Sequence, residues 1–484
     1  MVKKKINYKI IILLISPIII FFLKNPLINW LEGDFENIYF IYNTLLTSNS
    51  ITPDVTDYPG NSSFSINSIY LKTISIFDKT ILINLDDIIL SSDPVTNFNT
   101  IYKYLKFLQL FYSLIALICF YKILTYLNLE SKIALSLSLL LIISNQYLDN
   151  IQRYRFDFES LTFYLVSAFF LLYAINAEKK YIPICFSGFF LCMSLFSKIL
   201  TLPLFLIIPA LFYFKKNNSL IFLIKNILLN KETIFLFLII NFLTIIFSIL
   251  YSFNLMYFIT NNLIYVTFYF FFSEYFKSLE SDGKYKYLSF FIVGILVGLI
   301  FMFSQALNLQ KILAVVNPYF FFQHHLTETN FLSENIFMTL KNMKFDFLQI
   351  ILMIFSVFLI YSRRSINLYL NSLLFTVYFL YKIILSSKGG IYLDIFSIIV
   401  LLIIVSINLQ KSKYNIFIYS LVILYFVTNF NNILDNKFNL NIDNEVCELK
   451  NLNKKEYIEL NKDNYFLLYY APKFSEYNFI QKLC

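Results

Sequence analysis

Trp30–Gly60 reads WLEGDFENIYFIYNTLLTSNSITPDVTDYPG and directly follows the first hydrophobic run of the chain. It carries Asp34, Glu36, Asp54 and Asp57 in a sequence that is 58% hydrophobic and only 14% charged. Carboxylates gathered just outside a membrane span point to chemistry at the bilayer surface. The stretch is also too polar to cross a bilayer, so it divides the first span from everything that follows.

The surrounding sequence is that of an all-α polytopic membrane protein. The mean hydropathy is +0.67, and apolar runs of about 17–25 residues recur between short polar links, as bilayer-crossing helices require. The first run, Tyr8–Leu23, follows the basic start MVKKK and has no small-residue cleavage site after it. It reads as an uncleaved span with a cytoplasmic N-terminus. Further spans are expected near 104–126, 132–148, 158–176, 181–196, 199–214, 232–251, 256–273, 286–304, 346–361, 366–385, 390–408 and 413–429. That makes about thirteen. Alternate links, such as 177–180 (AEKK) and 362–365 (SRRS), carry Lys or Arg. They are assigned to the inside by the positive-inside rule, which also accounts for the net charge of +9 without invoking nucleic acid. The expected location is the cell membrane, the inner membrane of a bacterium.

The expected organisation is a transmembrane domain over 1–429 with two long extracytoplasmic segments, 24–102 and 304–346, and a small extracytoplasmic tail over 430–484. Within the first segment, Glu36–Leu46 has apolar residues at helical spacing and suits an amphipathic helix on the membrane surface. Pro53, Pro59 and Gly60 mark turns. Only 8 glycines in the chain offer little basis for Gly-x-x-x-Gly helix packing. Cys119, Cys185 and Cys192 fall in apolar runs as packing residues. Cys447 and Cys484 lie in the tail, as a disulfide or as two free thiols. No internal repeat is visible, and the long first outside segment argues against the inverted-repeat layout of many transporters.

Asp34-Phe35-Glu36 is open to three readings: a cap for the helix that follows, a general base, or ligands for a divalent cation such as Mg or Mn. Arg153-Tyr-Arg155-Phe-Asp157-Phe-Glu159 alternates charge and aromatic at the mouth of the fourth span. It reads either as an interfacial anchor or as a guanidinium site for phosphate beside the carboxylate of Asp157. Lys198 breaks the positive-inside trend and needs a partner, a lipid phosphate or Asp157, unless it snorkels. His324 and His325 are adjacent, which suits a structural or phosphate-contacting role better than zinc. Phosphate-loop, dinucleotide-fold, nucleophile-elbow and CxxC motifs are all missing from the sequence, so a sugar donor would have to arrive from the lipid side.

The order of these features resembles the GT-C superfamily of membrane glycosyltransferases, in particular the protein O-mannosyltransferase and aminoarabinose transferase-like branch. The matching residues are Gly33-Asp34-Phe35-Glu36 after the first span, the closing turn Asp57-Tyr58-Pro59-Gly60, Arg155-Phe-Asp157-Phe-Glu159 opening the fourth span, and Ser197-Lys198. They cover roughly residues 1–215. The chain departs from the family in the Phe35 spacer, in Tyr58-Pro59, and in Lys388-Gly-Gly-Ile-Tyr392, where an Arg-Tyr pair is usual. The resemblance implies a GT-C fold and an inverting transfer of a sugar from a polyprenyl-phosphate carrier to a lipid, glycan or protein acceptor on the extracytoplasmic face. It implies Asp34 as the catalytic carboxylate, deprotonating the acceptor or stabilising the transition state, with Glu36 and Asp157 as the further catalytic candidates. It further implies Arg155, with Arg153 and Lys198, toward the donor phosphate; His324, His325 and Lys388 are expected as further phosphate-side residues from the sequence itself, and Asp57 and Tyr58 on the acceptor side. The competing expectation is a lipid or polysaccharide transporter, flippase or polymerase.

Overall fold

In a computed structural model, the structure describes residues 8–24, 36–51, 53, 60–84, 87–88, 94–152, 154–198, 201–216, 232, 255–280, 283–303, 345–362, 368–388, 394–409 and 414–434. These residues are helical, with turns between, and no strand occurs among them. The span expected at 232–251, apart from Glu232, the histidine segment 304–344 and the tail from 435 lie outside the described residues.

The chain opens with α1 (Tyr8–Leu23), α2 (Glu36–Ser48), α3 (Asn61–Phe77) and α4 (Pro94–Tyr126). Next come α5 (Ser131–Ile143), α6 (Asn145–Gln152), α7 (Phe156–Ala174), α8 (Tyr181–Ser197), α9 (Leu202–Phe205) and α10 (Ile207–Lys216). The second half contains α11 (Leu255–Leu279), α12 (Lys284–Phe303), α13 (Phe347–Ser362), α14 (Leu368–Lys388), α15 (Asp394–Leu409) and α16 (Asn415–Leu434). The segments Asn99–Tyr126, Phe156–Ala174 and Lys284–Met302 are long and apolar enough to cross a membrane, and several others are apolar but shorter. This is the architecture of a helical membrane protein.

Local chemistry explains the element ends. Pro94 opens α4, where its missing N–H would be unpaired in any case. At 33 residues, α4 is about 50 Å long and outreaches a bilayer core of about 30 Å. It therefore begins ten residues before the apolar run that sequence periodicity marks. Asn128 closes α4 with φ 64°, a left-handed conformation that Asn tolerates at a helix end.

Two hydrophobic cores are present. The large one runs through the bundle, from Leu13 and Phe21 to Tyr425 and Ile433. The second joins Phe40, Tyr42 and Leu46 of α2 and Phe64 of α3 to Tyr102 of α4 and to Tyr154 and Phe156. The described part of the first long segment is thus a layer with its own core. It seals against the short strap between α6 and α7.

Three expectations are corrected here. Helix α2 exists, but Phe40–Thr47 is buried throughout, so it is enclosed by protein instead of lying open on a membrane surface. Its polar face can be buried because Thr44 donates to the Phe40 carbonyl at 2.7 Å and Thr47 to the Asn43 carbonyl at 2.9 Å. The span expected at 132–148 is broken after Ile143, with α5 and α6 bent by 59°. The span expected at 199–214 is two short helices, α9 and α10.

Glycine packing is the fourth correction. Gly188 of α8 and Gly294 and Gly298 of α12 lie in one helix–helix interface. A Cβ on Gly188 would overlap the carbonyl oxygen of Phe291, and one on Gly294 that of Cys185. The stretch Gly294-Ile-Leu-Val-Gly298 is a Gly-x-x-x-Gly face that lets two backbones touch, while Val293, Leu296, Val297 and Ile300 of the same helix are exposed. What matters is where the few glycines stand, and composition does not record it.

Candidate functional site

The start of α7 is a dense set of buried ionisable groups. Arg155 is its N-cap residue, in extended conformation. Asp157 and Glu159 occupy the first turn, where negative charge is favoured by the exposed N–H groups of the helix end. The antiparallel neighbour α8 ends at Ser197, with Lys198 as its C-cap residue, where positive charge is favoured for the converse reason. The two ends meet, and Lys198 Nζ is ion-paired with the Asp157 carboxylate. Arg155, Asp157, Glu159 and Lys198 are all buried.

Small hydroxyl residues bring these helices close. Ser62 of α3 shares a hydrogen bond with Ser197 at 2.6 Å and donates to the Met193 carbonyl at 2.7 Å. Ser160 of α7 donates to the Ser194 carbonyl at 2.9 Å, and Ser194 returns a bond to the Ser160 carbonyl at 2.8 Å. On the other face of α7, Glu159 Oε1 lies 3.4 Å from Asn67 Nδ2, and Asn67 also bonds the Tyr154 hydroxyl. Gly60 sits where a Cβ would come within 3.0 Å of the Phe156 ring. Its φ of −159° is open to any residue, so glycine serves here for space alone.

A second buried polar centre forms where late helices meet α6. Asp394, the first residue of α15, accepts from Lys382 Nζ at 2.6 Å, Gln349 Nε2 at 2.9 Å and Gln146 Nε2 at 3.2 Å, and from the Ser397 hydroxyl. Asp346 accepts from Asn145 Nδ2 at 3.3 Å and from the Tyr425 hydroxyl at 2.8 Å. Lys106, fully buried in α4, donates to the Ile151 carbonyl at 2.7 Å, and Gln109 donates to the Asn150 carbonyl at 2.6 Å. The buried charges therefore gather around α6 and the strap after it.

Of the residues singled out from sequence, the structure brings Asp157 and Lys198 into contact and buries Arg155 just before them. The burial of Arg155, Tyr154, Phe156 and Phe158 removes the interfacial-anchor reading of that segment, because protein covers these side chains. Asp34, Asp57, Tyr58, Arg153, His324 and His325 lie outside the described residues. Glu36 is the first residue of α2 and Lys388 the last of α14, and their side chains are outside the description. Among the described residues no group of three or more His, Cys, Asp or Glu gathers, and the expected cation ligands, Asp34 and Glu36, are not among those side chains.

Lys106, Glu159, Asp346, Lys382 and Asp394 were not assigned a role from sequence. Lys106 and Lys382 did carry a usable signal, since each is an ionisable residue within an apolar run, which demands a buried partner. No family model, curated protein or solved structure matches the chain. The site is therefore read from its own chemistry.

Proposed function

We propose that the protein is an integral-membrane inverting glycosyltransferase of the GT-C type, with about thirteen spans and a cytoplasmic N-terminus. It would move a sugar from a polyprenyl-phosphate carrier to a lipid, glycan or protein acceptor on the extracytoplasmic face. The observation that carries this reading is the buried cluster of Arg155, Asp157 and Lys198 at one end of the bundle, sealed by the layer built from the first long segment. A lipid-borne phosphate needs cations at headgroup depth and an acid on the aqueous side, and the acidic stretch around Asp34 enters from that same first segment.

In the proposed step, the bond between the sugar's anomeric carbon and the carrier phosphate oxygen breaks as the acceptor oxygen forms its bond on the opposite face. Asp34 takes the acceptor proton, and polyprenyl phosphate leaves with both electrons of the broken bond. A neutralised phosphate needs no proton to depart. We assign the phosphate first to Arg155, as the resemblance implies, and give the Lys198–Asp157 pair the task of holding the α7 and α8 ends beside it. Glu36, Arg153, His324, His325 and Lys388 keep the roles expected of them from the sequence, as do Asp57 and Tyr58.

The alternative is a transporter, flippase or polymerase. Buried Lys106, Glu159 and Lys382 would suit a transporter if they lined a path through the bundle, but Lys106 and the Lys382–Asp394 pair are tied to the two ends of α6, and Glu159 meets Asn67 of α3. The deciding experiment is sugar transfer from a polyprenyl-phosphate donor by purified protein. Asp34→Asn should abolish transfer with expression intact, and Arg155→Ala should raise the donor concentration needed. Full transfer by Asp34→Asn would remove the base assignment.

A further inference from the structure

We infer that α6 is a strut whose two clamps set the position of Arg155 and Asp157, and that Gln146 is a positioning residue for them. This rests on the reading of Arg155 as a phosphate-holding group. The helix is eight residues long, too short to hold itself in place, yet every terminus is tied. At its start, the Tyr147 N–H donates to Ser144 Oγ at 3.3 Å, an N-cap bond. Asn429 of α16 donates to the Ile143 carbonyl at 2.8 Å, covering an acceptor that the bend leaves without its helical partner.

The side chains of Asn145 and Gln146 reach Asp346 and Asp394. At the far end, Lys106 and Gln109 of α4 take the Ile151 and Asn150 carbonyls. Acids thus stand at the N-terminal end of α6 and a lysine at its C-terminal end, the arrangement its dipole favours. Tyr147 also packs edge-on against Phe158 of α7, with ring centroids 5.4 Å apart. Three residues beyond the Gln152 end of α6 comes Arg155. Residues of α13, α15 and α16 therefore act on Arg155 and Asp157 through α6.

Gln146 gives a clean test. It is 3% exposed, and its Oε1 has no hydrogen-bond partner among the described residues. If Gln146 served packing alone, Gln146→Leu would leave thermal stability equal or higher, because Asp394 keeps its bonds from Lys382, Gln349 and Ser397. The strut instead requires that the strap loosen while the fold holds. The experiment compares wild-type, Gln146→Leu and Gln146→Asn protein by amide hydrogen exchange from Gln152 to Asp157 and by binding of undecaprenyl phosphate.

The expected result for Gln146→Leu is an unchanged melting temperature, faster exchange confined to that strap, and binding weaker by about ten-fold, since small misplacements of a holding group are costly. Unchanged exchange overturns the strut, whatever the lipid does. Faster exchange in a protein whose wild type fails to bind the lipid upholds the strut and overturns the phosphate reading. A global drop in melting temperature shared by Gln146→Asn overturns the positioning role in favour of a structural one.

Discussion

Lys198, at the C-terminal end of α8, is ion-paired with Asp157 in the first turn of α7, and both side chains are buried. Removing one partner strands the other charge where water cannot reach it. Asp157→Leu or Lys198→Met alone should therefore destabilise the protein by roughly 3–5 kcal/mol, and the double variant should recover most of that loss. Thermal melting of the three variants checks this. The double variant should still be impaired in lipid-phosphate binding if the pair orders the site.

The α8–α12 interface should be intolerant in a graded way. Gly294→Ala places a Cβ on the Cys185 carbonyl oxygen, which as backbone cannot move aside alone. Gly298→Ala meets Cys192 at 3.0 Å and the Phe189 carbonyl oxygen at 3.3 Å, a much milder overlap than the 2.0 Å approach at Gly294. Overpacking of the first kind should cost about 1–3 kcal/mol or more, and the second distinctly less. Equal melting temperatures for the two variants would contradict the glycine face.

Asp78, the C-cap residue of α3, accepts from the Thr80 hydroxyl at 2.6 Å, the Tyr104 hydroxyl at 2.8 Å and the Thr80 N–H at 3.0 Å. These bonds, the Thr80 hydroxyl first and then Tyr104, hold its carboxyl below the usual carboxylate range. A carboxyl depressed in the folded state stabilises above its unfolded pKa of about 3.9. That contribution disappears as pH falls through the lower folded value. Wild type should therefore melt above Asp78→Asn near about pH 6, and the difference should shrink as pH falls below the unfolded value of about 3.9.

Asn371 of α14 and Asn408 of α15 exchange amide bonds at 2.6 and 3.3 Å, and both are buried. A double-mutant cycle with leucine at each position should return a coupling of about 0.6–1.7 kcal/mol, the range of interhelical polar pairs in membranes. Strict additivity of the single losses would show that the pair contributes no mutual stabilisation.

Most of the helices were legible before any coordinates, because a bilayer-crossing helix must be an apolar run and a run is a local property. The described helices α7, α8, α12, α13, α15 and α16 fall within a few residues of their expected ranges. The break after Ile143 was not legible, because Ser144 sits in an apolar run without proline or glycine. What stabilises the bend is a set of partners far along the chain: Asp346, Asp394 and Asn429. Burial of α2 was hidden for the same reason, since the side chains that cover it, Phe64, Tyr102, Tyr154 and Phe156, come from later in the chain.

The sequence by itself determined that the chain is helical, rich in apolar helices and acidic just after its first apolar run, and it singled out Arg155 for phosphate, Asp157 as an acid beside it and Lys198 as a cation needing a partner. Those conclusions rest on composition and on neighbours within a turn or two. The tertiary structure alone decided which partners they have. It joined Lys198 to Asp157, and it placed Asp394 from the last third of the chain against the short helix that leads to Arg155. It also turned three scattered glycines into one interface. The physical reason is common to all three. In a low-dielectric interior a polar group or a bare backbone must be matched at contact distance, and the matching group can lie anywhere in the chain.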